Sequence, residues 1–155
     1  MTNSDPAAKT AAVVDALKKL RIPAIIGISG GGLEPLADVP EHVLFVQNVP
    51  YDWLFPQVYA VVHHGGSGTT HTAIKYGCPS LVIPHALDQP FWARTIAAKK
   101  LGPAGLPIRK LNDGHFEEKL LDLFTNEEYK VNAVRFSELF ARESDRDALY
   151  RLIIS

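Results

Sequence analysis

Hydrophobic positions along the chain recur in two patterns, one typical of helices and one typical of buried strands. The first segment begins at Asp5-Pro6, where the carboxylate can cap a helix, and its apolar residues then recur at intervals of three and four up to Leu20. Short continuous apolar runs follow and are typical of strands covered on both faces. These runs lie at residues 24–28, 43–46, 59–63 and 80–83, with a shorter fifth run at Pro107-Ile108.

Helical patterns separate the later strands. We predict helices at residues 69–76, 88–101 and 116–124, the last capped by Asn112 or Asp113, and one or two more within residues 126–154. Strands that alternate with helices predict an α/β fold with a Rossmann-like, doubly wound parallel sheet. Such a sheet usually opens with its central strand, whereas this chain opens with a helix, so the predicted sheet lacks its first strand. No repeat or linker divides residues 1–155, which we interpret as one domain.

The charge balance narrows the class of protein. The 155 residues carry 16 Lys plus Arg against 17 Asp plus Glu, which argues against a nucleic-acid partner because phosphates require clustered basic residues. No apolar run approaches the roughly 18 residues that span a bilayer, and the first residues do not resemble a signal peptide. A single cysteine, Cys78, excludes an internal disulfide. We expect a cytoplasmic domain with no transmembrane segment.

The most informative segment is the glycine turn His63-His64-Gly65-Gly66-Ser67-Gly68-Thr69-Thr70, between a predicted strand and a predicted helix. Ligands of open α/β sheets bind beyond the carboxyl ends of the strands. Glycines allow the backbone to approach a ligand, and a helix N-terminus presents free N–H groups to an anion. With hydroxyl and imidazole donors added, the turn could hold a diphosphate without a Lys, an Arg or a metal.

Other motifs fit this turn poorly. No glycine precedes a lysine as a P-loop requires, the third glycine of the dinucleotide fingerprint is replaced by His71, and Thr69 stands where a nucleophile elbow has its second glycine. An ordinary tight turn that binds nothing is the remaining alternative.

Histidines are concentrated around this turn, so we also considered a metal site. The four histidines concerned are His63, His64, His71 and His85. No acidic partner stands at a metal-binding spacing, and we predict no metal. His63 points to the opposite side of its strand from His64, so we expect it to be packed and its replacement to leave ligand affinity unchanged.

Two further segments allow more than one interpretation. Asp88-Gln89 follows the fourth strand, and Asp88 could be a helix cap or could bind a polyhydroxylated ligand together with Gln89. Trp53-Leu54-Phe55-Pro56 reads as part of the core.

Taken together, several segments resemble the donor half of family 1 glycosyltransferases, in particular the sterol 3-beta-glucosyltransferase branch and related bacterial enzymes. The segments are Val49-Pro50-Tyr51-Asp52-Trp53-Leu54-Phe55-Pro56, the glycine turn from His63 to Thr70, Gly77-Cys78-Pro79, Pro84, and Asp88-Gln89-Pro90-Phe91-Trp92-Ala93. The resemblance implies a GT-B architecture in which the C-terminal domain binds a UDP-sugar, such as UDP-glucose, and an inverting transfer needs no metal.

The resemblance also implies roles for single residues. His64, Ser67, Gly68 and Thr69 would bind the phosphates of UDP. Asp88 and Gln89 would hold the sugar hydroxyls, and the backbone of Val49 would bind the uracil.

The chain also departs from the family pattern. Plant members stack the uracil on a tryptophan near the position of Asn48, and they place a glutamate on the ribose where this chain has Thr72. The family's acceptor-binding domain carries the catalytic base, and the resemblance covers no such domain, so we expect no catalytic residue in this chain.

Two functions follow from these observations. The first is the donor-binding part of a UDP-sugar-dependent hexosyltransferase that transfers glucose or a related hexose to a lipid, sterol or natural-product hydroxyl and is inactive without an acceptor domain. The second is a non-catalytic module that binds a nucleotide sugar or docks on a partner. Possible partners are a chain with the acceptor domain or a second copy that pairs with an open sheet edge. Another GT-B enzyme, such as an epimerase, is disfavoured by Asp88-Gln89-Pro90-Phe91-Trp92.

Overall fold

The computed structural model of the chain describes residues 5–111, 114–142, 151 and 154. Helices and short parallel strands alternate in the described parts. In chain order they are α1 (Pro6–Leu20), β1 (Ala24–Gly27), β2 (Val43–Val46), α2 (Tyr51–Leu54), β3 (Val61–His63), α3 (Ser67–Lys75), β4 (Ser80–Val82), α4 (Gln89–Ala98), α5 (His115–Thr125) and α6 (Glu127–Arg142). Two short 3-10 helices lie at Phe55–Gln57 and Ile108–Lys110. The α/β class and the parallel pairing predicted above are confirmed.

The strands form two parallel pairs. β1 pairs with β2, Ala24 opposite Val43, and β3 pairs with β4, Val61 opposite Ser80. No strand among the described residues joins the two pairs into one sheet. Two separate pairs are what a Rossmann-like sheet without its central strand would show.

Both outer edges of each two-stranded pair lack a partner strand among the described residues, and those of β1 and β3 bear on the missing strand. In β1, the N–H groups of Ala24 and Ile28 donate to the carbonyls of His42 and Val46. Because a parallel strand turns alternate residues to its two sides, Ile25 and Gly27 direct their N–H and C=O groups away from β2. In β3, Val61 and His63 make the backbone hydrogen bonds on the side of β4. The N–H and C=O groups of Val62 therefore point away from β4. The side chains of Ile25 and Val62 are 43% and 41% exposed, which is unusual for strands of a doubly wound sheet.

Helices cover the two pairs unequally. The first core cluster packs α1 and α5 against β1, β2 and β4, with Leu17, Leu81 and Leu123 among its buried residues. A second cluster packs α3, α4 and α6 against Val82, and a third holds Phe55 against Val61 and Cys78. The β3–β4 pair therefore lies between two layers of helices, which fixes the position of the loops at its ends.

Local signals predicted most helix boundaries. Asp5 caps α1 by accepting a hydrogen bond from the Ala8 N–H at 3.0 Å, and Pro6 occupies the first turn, where its missing N–H costs nothing. The predicted cap of α5 at Asn112 or Asp113 lies outside the described residues, as does most of residues 126–154 beyond the end of α6 at Arg142.

Two predictions about local structure are wrong. The segment at Pro107-Ile108 is not a strand but leads into the 3-10 helix Ile108–Lys110. Leu106 and Ile108 donate their N–H groups to the Val82 and Pro84 carbonyls at 3.0 and 3.4 Å, but the chain turns into the 3-10 helix at Ile108, so these two bonds do not extend into a strand. Trp53 is not part of the core, because its side chain is 62% exposed on the short helix α2, whereas Phe55 is buried as expected.

The free edges lead to a prediction about stability. We expect an apolar strand that ends in Gly-Ser, supplied ahead of Asp5, to raise the melting temperature by several degrees because it can pair with the edges of β1 and β3. Each kcal/mol gained corresponds to roughly 2–4 °C at this size. Scanning calorimetry of the extended chain, with a Gly/Ser extension of equal length as control, measures the effect. Equal melting temperatures for the two extensions would contradict the strand assignment.

Candidate functional site

The parallel pairing of β3 and β4 brings two loops to the same edge. His63 lies opposite Val82, so both strands end at the same level. The glycine turn follows β3, and the loop from Pro84 to Asp88 follows β4. Loops at the carboxyl ends of neighbouring parallel strands are where α/β folds bind ligands.

Gly65 allows the turn to pack closely against β4 and α4. Its φ is +92°, a conformation that L side chains rarely adopt. A Cβ at this position would lie 2.7 Å from the Val82 Cγ1 and 3.2 Å from the Gln89 carbonyl oxygen. Glycine is therefore required here both for its conformation and for the lack of space.

The N-terminus of α3 faces solvent with unpaired N–H groups. The first helical bond runs from the Thr70 N–H to the Gly66 carbonyl, so the N–H groups of Ser67, Gly68 and Thr69 have no helical acceptor. Gly66 provides no side-chain cap, and no acidic residue lies in the first turn. Ser67 and Gly68 are exposed and Thr69 is half-buried. The helix dipole adds up to about 2 kcal/mol for an anion in a partly buried site.

The hydroxyl groups of Thr70 and Thr72 donate hydrogen bonds to backbone carbonyls at the start of α3. The Thr70 Oγ1 donates to the Gly66 carbonyl, and the Thr72 Oγ1 donates to the Gly68 carbonyl, both at 2.9 Å. Thr72 stands where plant relatives were expected to carry a ribose-binding glutamate, and its hydroxyl bonds inward along the helix instead.

His64 lies beside the helix terminus. Its side chain is exposed, and a Cβ on Gly66 would lie 2.7 Å from its Nε2, so the ring packs directly over that glycine. The ring centroids of His64 and His85 are 6.3 Å apart. Partial burial, followed by the smaller effects of His64 and Lys9, lowers the pKa of His85.

His63 is buried, as predicted, and its side chain also forms a hydrogen bond with the glycine turn. Its Nδ1 accepts a hydrogen bond from the Gly65 N–H at 3.1 Å. Burial, with a smaller effect of His64, lowers the pKa of His63 to about 3. The ring is therefore neutral at physiological pH and joins β3 to the turn, a contact that alternation along the strand did not predict.

The loop after β4 presents Asp88 and Gln89 in different ways. Asp88 stands at the N-cap of α4 but makes no side-chain cap hydrogen bond, and its side chain is exposed. The Gln89 Oε1 accepts from the N–H groups of His85 and Ala86, at 2.7 and 3.1 Å, so it holds the loop in place. Of the two interpretations of Asp88, the cap is not supported by its hydrogen bonds. Gln89 retains only its amide N–H groups for a ligand.

Val49 lies at the end of the other strand pair. Val49 and Ser29 line a cavity of about 330 Å³ together with Asn48, Pro50 and Tyr51. The Tyr51 ring is half exposed and stacks on Phe55 with centroids 4.7 Å apart. Val49 thus follows the end of β2 at Val46 and lies beside a cavity.

Two structural features near the glycine turn were not predicted from the sequence. The Lys9 side chain on α1 is only 8% exposed, and its Nζ has no hydrogen-bond partner among the described residues. Leu87 is 93% exposed and has a φ of 60°, a strained conformation for leucine, directly before Asp88. Burial and backbone strain depend on tertiary packing, so neither feature has a signal in the sequence.

The larger of the two cavities is not lined by any residue of the glycine turn. A larger cavity of about 800 Å³ lies between α1 and α5, lined by Ala8, Ala12, Leu111 and Phe116 among others. Within the described ranges no three His, Cys, Asp or Glu side chains group as metal ligands. None of the described helices is both long and apolar enough to cross a membrane.

The fold and the site define a class of protein, an α/β domain with a free helix N-terminus and an Asp-Gln loop at the carboxyl edge of parallel strands. Residues 11–146 match the family model described as erythromycin biosynthesis protein CIII-like, C-terminal domain. The chain therefore belongs to this family and has the fold of the C-terminal domain of GT-B glycosyltransferases.

Curated relatives are longer proteins. A sterol 3-beta-glucosyltransferase of Arabidopsis thaliana is 46% identical over 113 residues, which are 72% of this chain and 18% of that protein. A sterol 3-beta-glucosyltransferase of Yarrowia lipolytica is 36% identical over 159 residues, which are 96% of this chain and 11% of that protein. The chain thus spans less than a fifth of the length of these relatives.

Solved structures show the same fold. Spinosyn rhamnosyltransferase SpnG complexed with thymidine diphosphate is 25% identical with a TM-score of 0.75, over 96% of this chain and 40% of that chain. The glycosyltransferase VinC in complex with dTDP is 26% identical with a TM-score of 0.70, over 84% of this chain and 32% of that chain.

The depressed pKa of His63 predicts a pH dependence of stability. The folded chain keeps His63 neutral down to about pH 3, because its pKa is lowered to that value, whereas in the unfolded chain the histidine binds a proton near its ordinary pKa of about 6.5. Stability from this group is therefore complete above pH 6.5 and is lost as the pH falls below it, by about 2 kcal/mol between pH 7 and pH 5. Denaturant unfolding at both pH values measures the loss, which His63→Asn should reduce by that amount. Equal losses in the two proteins would mean that His63 is not neutral and buried.

Proposed function

We propose that the chain binds a UDP-hexose, UDP-glucose or a close relative, as the donor-binding part of an inverting, metal-independent hexosyltransferase. The observation that carries the proposal is the uncapped N-terminus of α3, with exposed Ser67 and Gly68, beside His64 and the uncommitted carboxylate of Asp88. A site with free N–H donors on one side and a hydrogen-bond acceptor on the other suits a ligand with both phosphates and hydroxyls.

Each group has a role in this proposal. The N–H groups of Ser67, Gly68 and Thr69 and the His64 imidazole bind the diphosphate. Asp88 accepts from the sugar hydroxyls, the Gln89 amide donates to them, and the Val49 backbone binds the uracil. Each bond to the charged diphosphate contributes about 1.5–3 kcal/mol.

We propose that the transfer is a single displacement at the anomeric carbon. An acceptor hydroxyl attacks the anomeric carbon from the face opposite the phosphate, the bond from that carbon to the phosphate oxygen breaks, and the configuration inverts. The negative charge that develops on the departing UDP lies at the N-terminus of α3, where the helix dipole and free N–H groups stabilise it. The hydroxyl proton goes to a base, which we place on an acceptor-binding domain outside residues 1–155.

The relatives support the reaction class and the kind of acceptor. The two relatives above are sterol 3-beta-glucosyltransferases, and two of the similar structures hold thymidine diphosphate. We propose a lipid, sterol or natural-product hydroxyl as acceptor and an acceptor-domain segment as partner. The free edges of β1 and β3 offer a place for that segment or for a second copy.

The experiment that tests the proposal is calorimetric titration of the chain with UDP, UDP-glucose and NADH, each in the presence of a chelator. We expect UDP and UDP-glucose to bind and NADH not to bind, because the turn lacks the dinucleotide fingerprint. Absence of UDP binding would refute the proposal. Binding that is restored only by magnesium or manganese would refute its metal independence.

His64→Ala serves as the control for the location of the site. Loss of one donor to a charged group should weaken UDP binding by about 1–3 kcal/mol. His71→Ala is the matched variant, because His71 bonds to the carbonyl of Ser67 within the helix. Equal effects of the two variants would place the diphosphate elsewhere.

A further prediction separates the sugar from the nucleotide. Asp88 follows β4 whereas the phosphate turn follows β3, and the Asp88 side chain does not cap α4. We therefore expect Asp88→Asn to lower the affinity for UDP-glucose while the affinity for UDP stays the same. A parallel loss for both ligands, measured in the same titrations, would assign Asp88 a structural role.

A further inference from the structure

The hydrogen bond between His63 and Gly65 lies where the chain leaves β3 for the phosphate turn. His63 ends β3 and lies on its buried face with Val61. Its Nδ1 accepts from the N–H of Gly65, whose φ of +92° turns the chain. The bond thus joins the end of a strand fixed by the core to the residue that sets the direction of the turn.

The second ring nitrogen of His63, Nε2, indicates why an imidazole is useful at this position. Because Nδ1 accepts, Nε2 carries the proton, and Nε2 is buried with no partner among the described residues. A buried donor without a partner opposes folding. An aliphatic side chain could fill this space without that cost, so the benefit of a histidine here lies in the bond from Nδ1 to Gly65.

The turn transmits this restraint to the groups that face solvent. Gly65 is packed against Val82 and Gln89, and the ring of His64 lies directly over Gly66. A rotation at Gly65 would therefore move both His64 and the first N–H groups of α3.

We propose that His63 is a positioning residue, which holds the turn so that His64 and the N–H groups of Ser67 and Gly68 converge on one diphosphate. The inference rests on the proposed function and deepens it. His63 itself does not touch the ligand, but because of its bond to Gly65 we now expect its replacement to weaken binding, contrary to the expectation from strand alternation.

The test compares two variants of similar size. His63→Asn places its Oδ1 where Nδ1 stands and keeps an acceptor for Gly65, whereas His63→Leu fills the space without one. We expect His63→Leu to bind UDP roughly tenfold more weakly than wild type, with uridine affinity unchanged, and His63→Asn to recover most of the loss. A purely structural role would lower the affinities for UDP and uridine together.

A measurement on the wild-type chain covers the case in which His63→Leu fails to fold. Nitrogen-15 NMR should show a His63 Nδ1 without a proton and a scalar coupling across the hydrogen bond to the Gly65 amide, with and without UDP. A protonated Nδ1 or an absent coupling would overturn the inference.

The outcomes separate this inference from the proposed function. If the wild-type chain binds UDP but His63→Leu retains full UDP affinity, or loses UDP and uridine affinity equally, the inference is wrong and the proposed function stands. If the wild-type chain does not bind UDP, the proposed function fails and the inference fails with it.

Discussion

Parallel pairing of β3 with β4 is the constraint on which the candidate site depends. It sets His63 opposite Val82, so the glycine turn and the Asp88 loop leave the strands at the same level. Helices pack on both faces of this pair, and the loops at the carboxyl ends of its strands remain accessible. A shift of register by one residue would turn His63 to the other face and break its bond to Gly65. The chemistry of the turn thus relies on backbone pairing in the core.

The candidate site also depends on the close approach of two backbone segments. Gly65 lies against Val82 and Gln89 where no Cβ fits, and Gly66 lies under the ring of His64. The Gln89 side chain closes the opposite loop by accepting from two backbone N–H groups. The two glycines and the Gln89 amide therefore allow the two loops to lie close together. The N-terminus of α3 has no side-chain cap. An anion at that terminus would satisfy N–H groups that the fold itself leaves unpaired.

Positive charge around the site comes from groups of different kinds. The N-terminus of α3 carries the partial positive charge of the helix dipole, and the Lys9 side chain lies buried on α1. Lys9 has no hydrogen-bond partner among the described residues, and its charge helps to lower the pKa of His85. The lowered pKa favours the neutral form of His85, so this ring adds no fixed charge to the site. Lys9 thus contributes a positive charge close enough to affect His85, which the residues of the turn alone do not show.

The sequence by itself determined the elements and the residue types of the site. Apolar runs located the four strands of the described residues, Asp5-Pro6 located the start of α1, and the spacing of glycines located the turn, because these signals are local. Tertiary structure decided what depends on distant partners. The segment at Pro107 follows β4 without pairing as a strand, Trp53 lies at the surface, and Asp88 leaves its helix uncapped. It also made His63 an acceptor for Gly65 and buried Lys9, since burial and hydrogen-bond partners arise only when separate segments pack together.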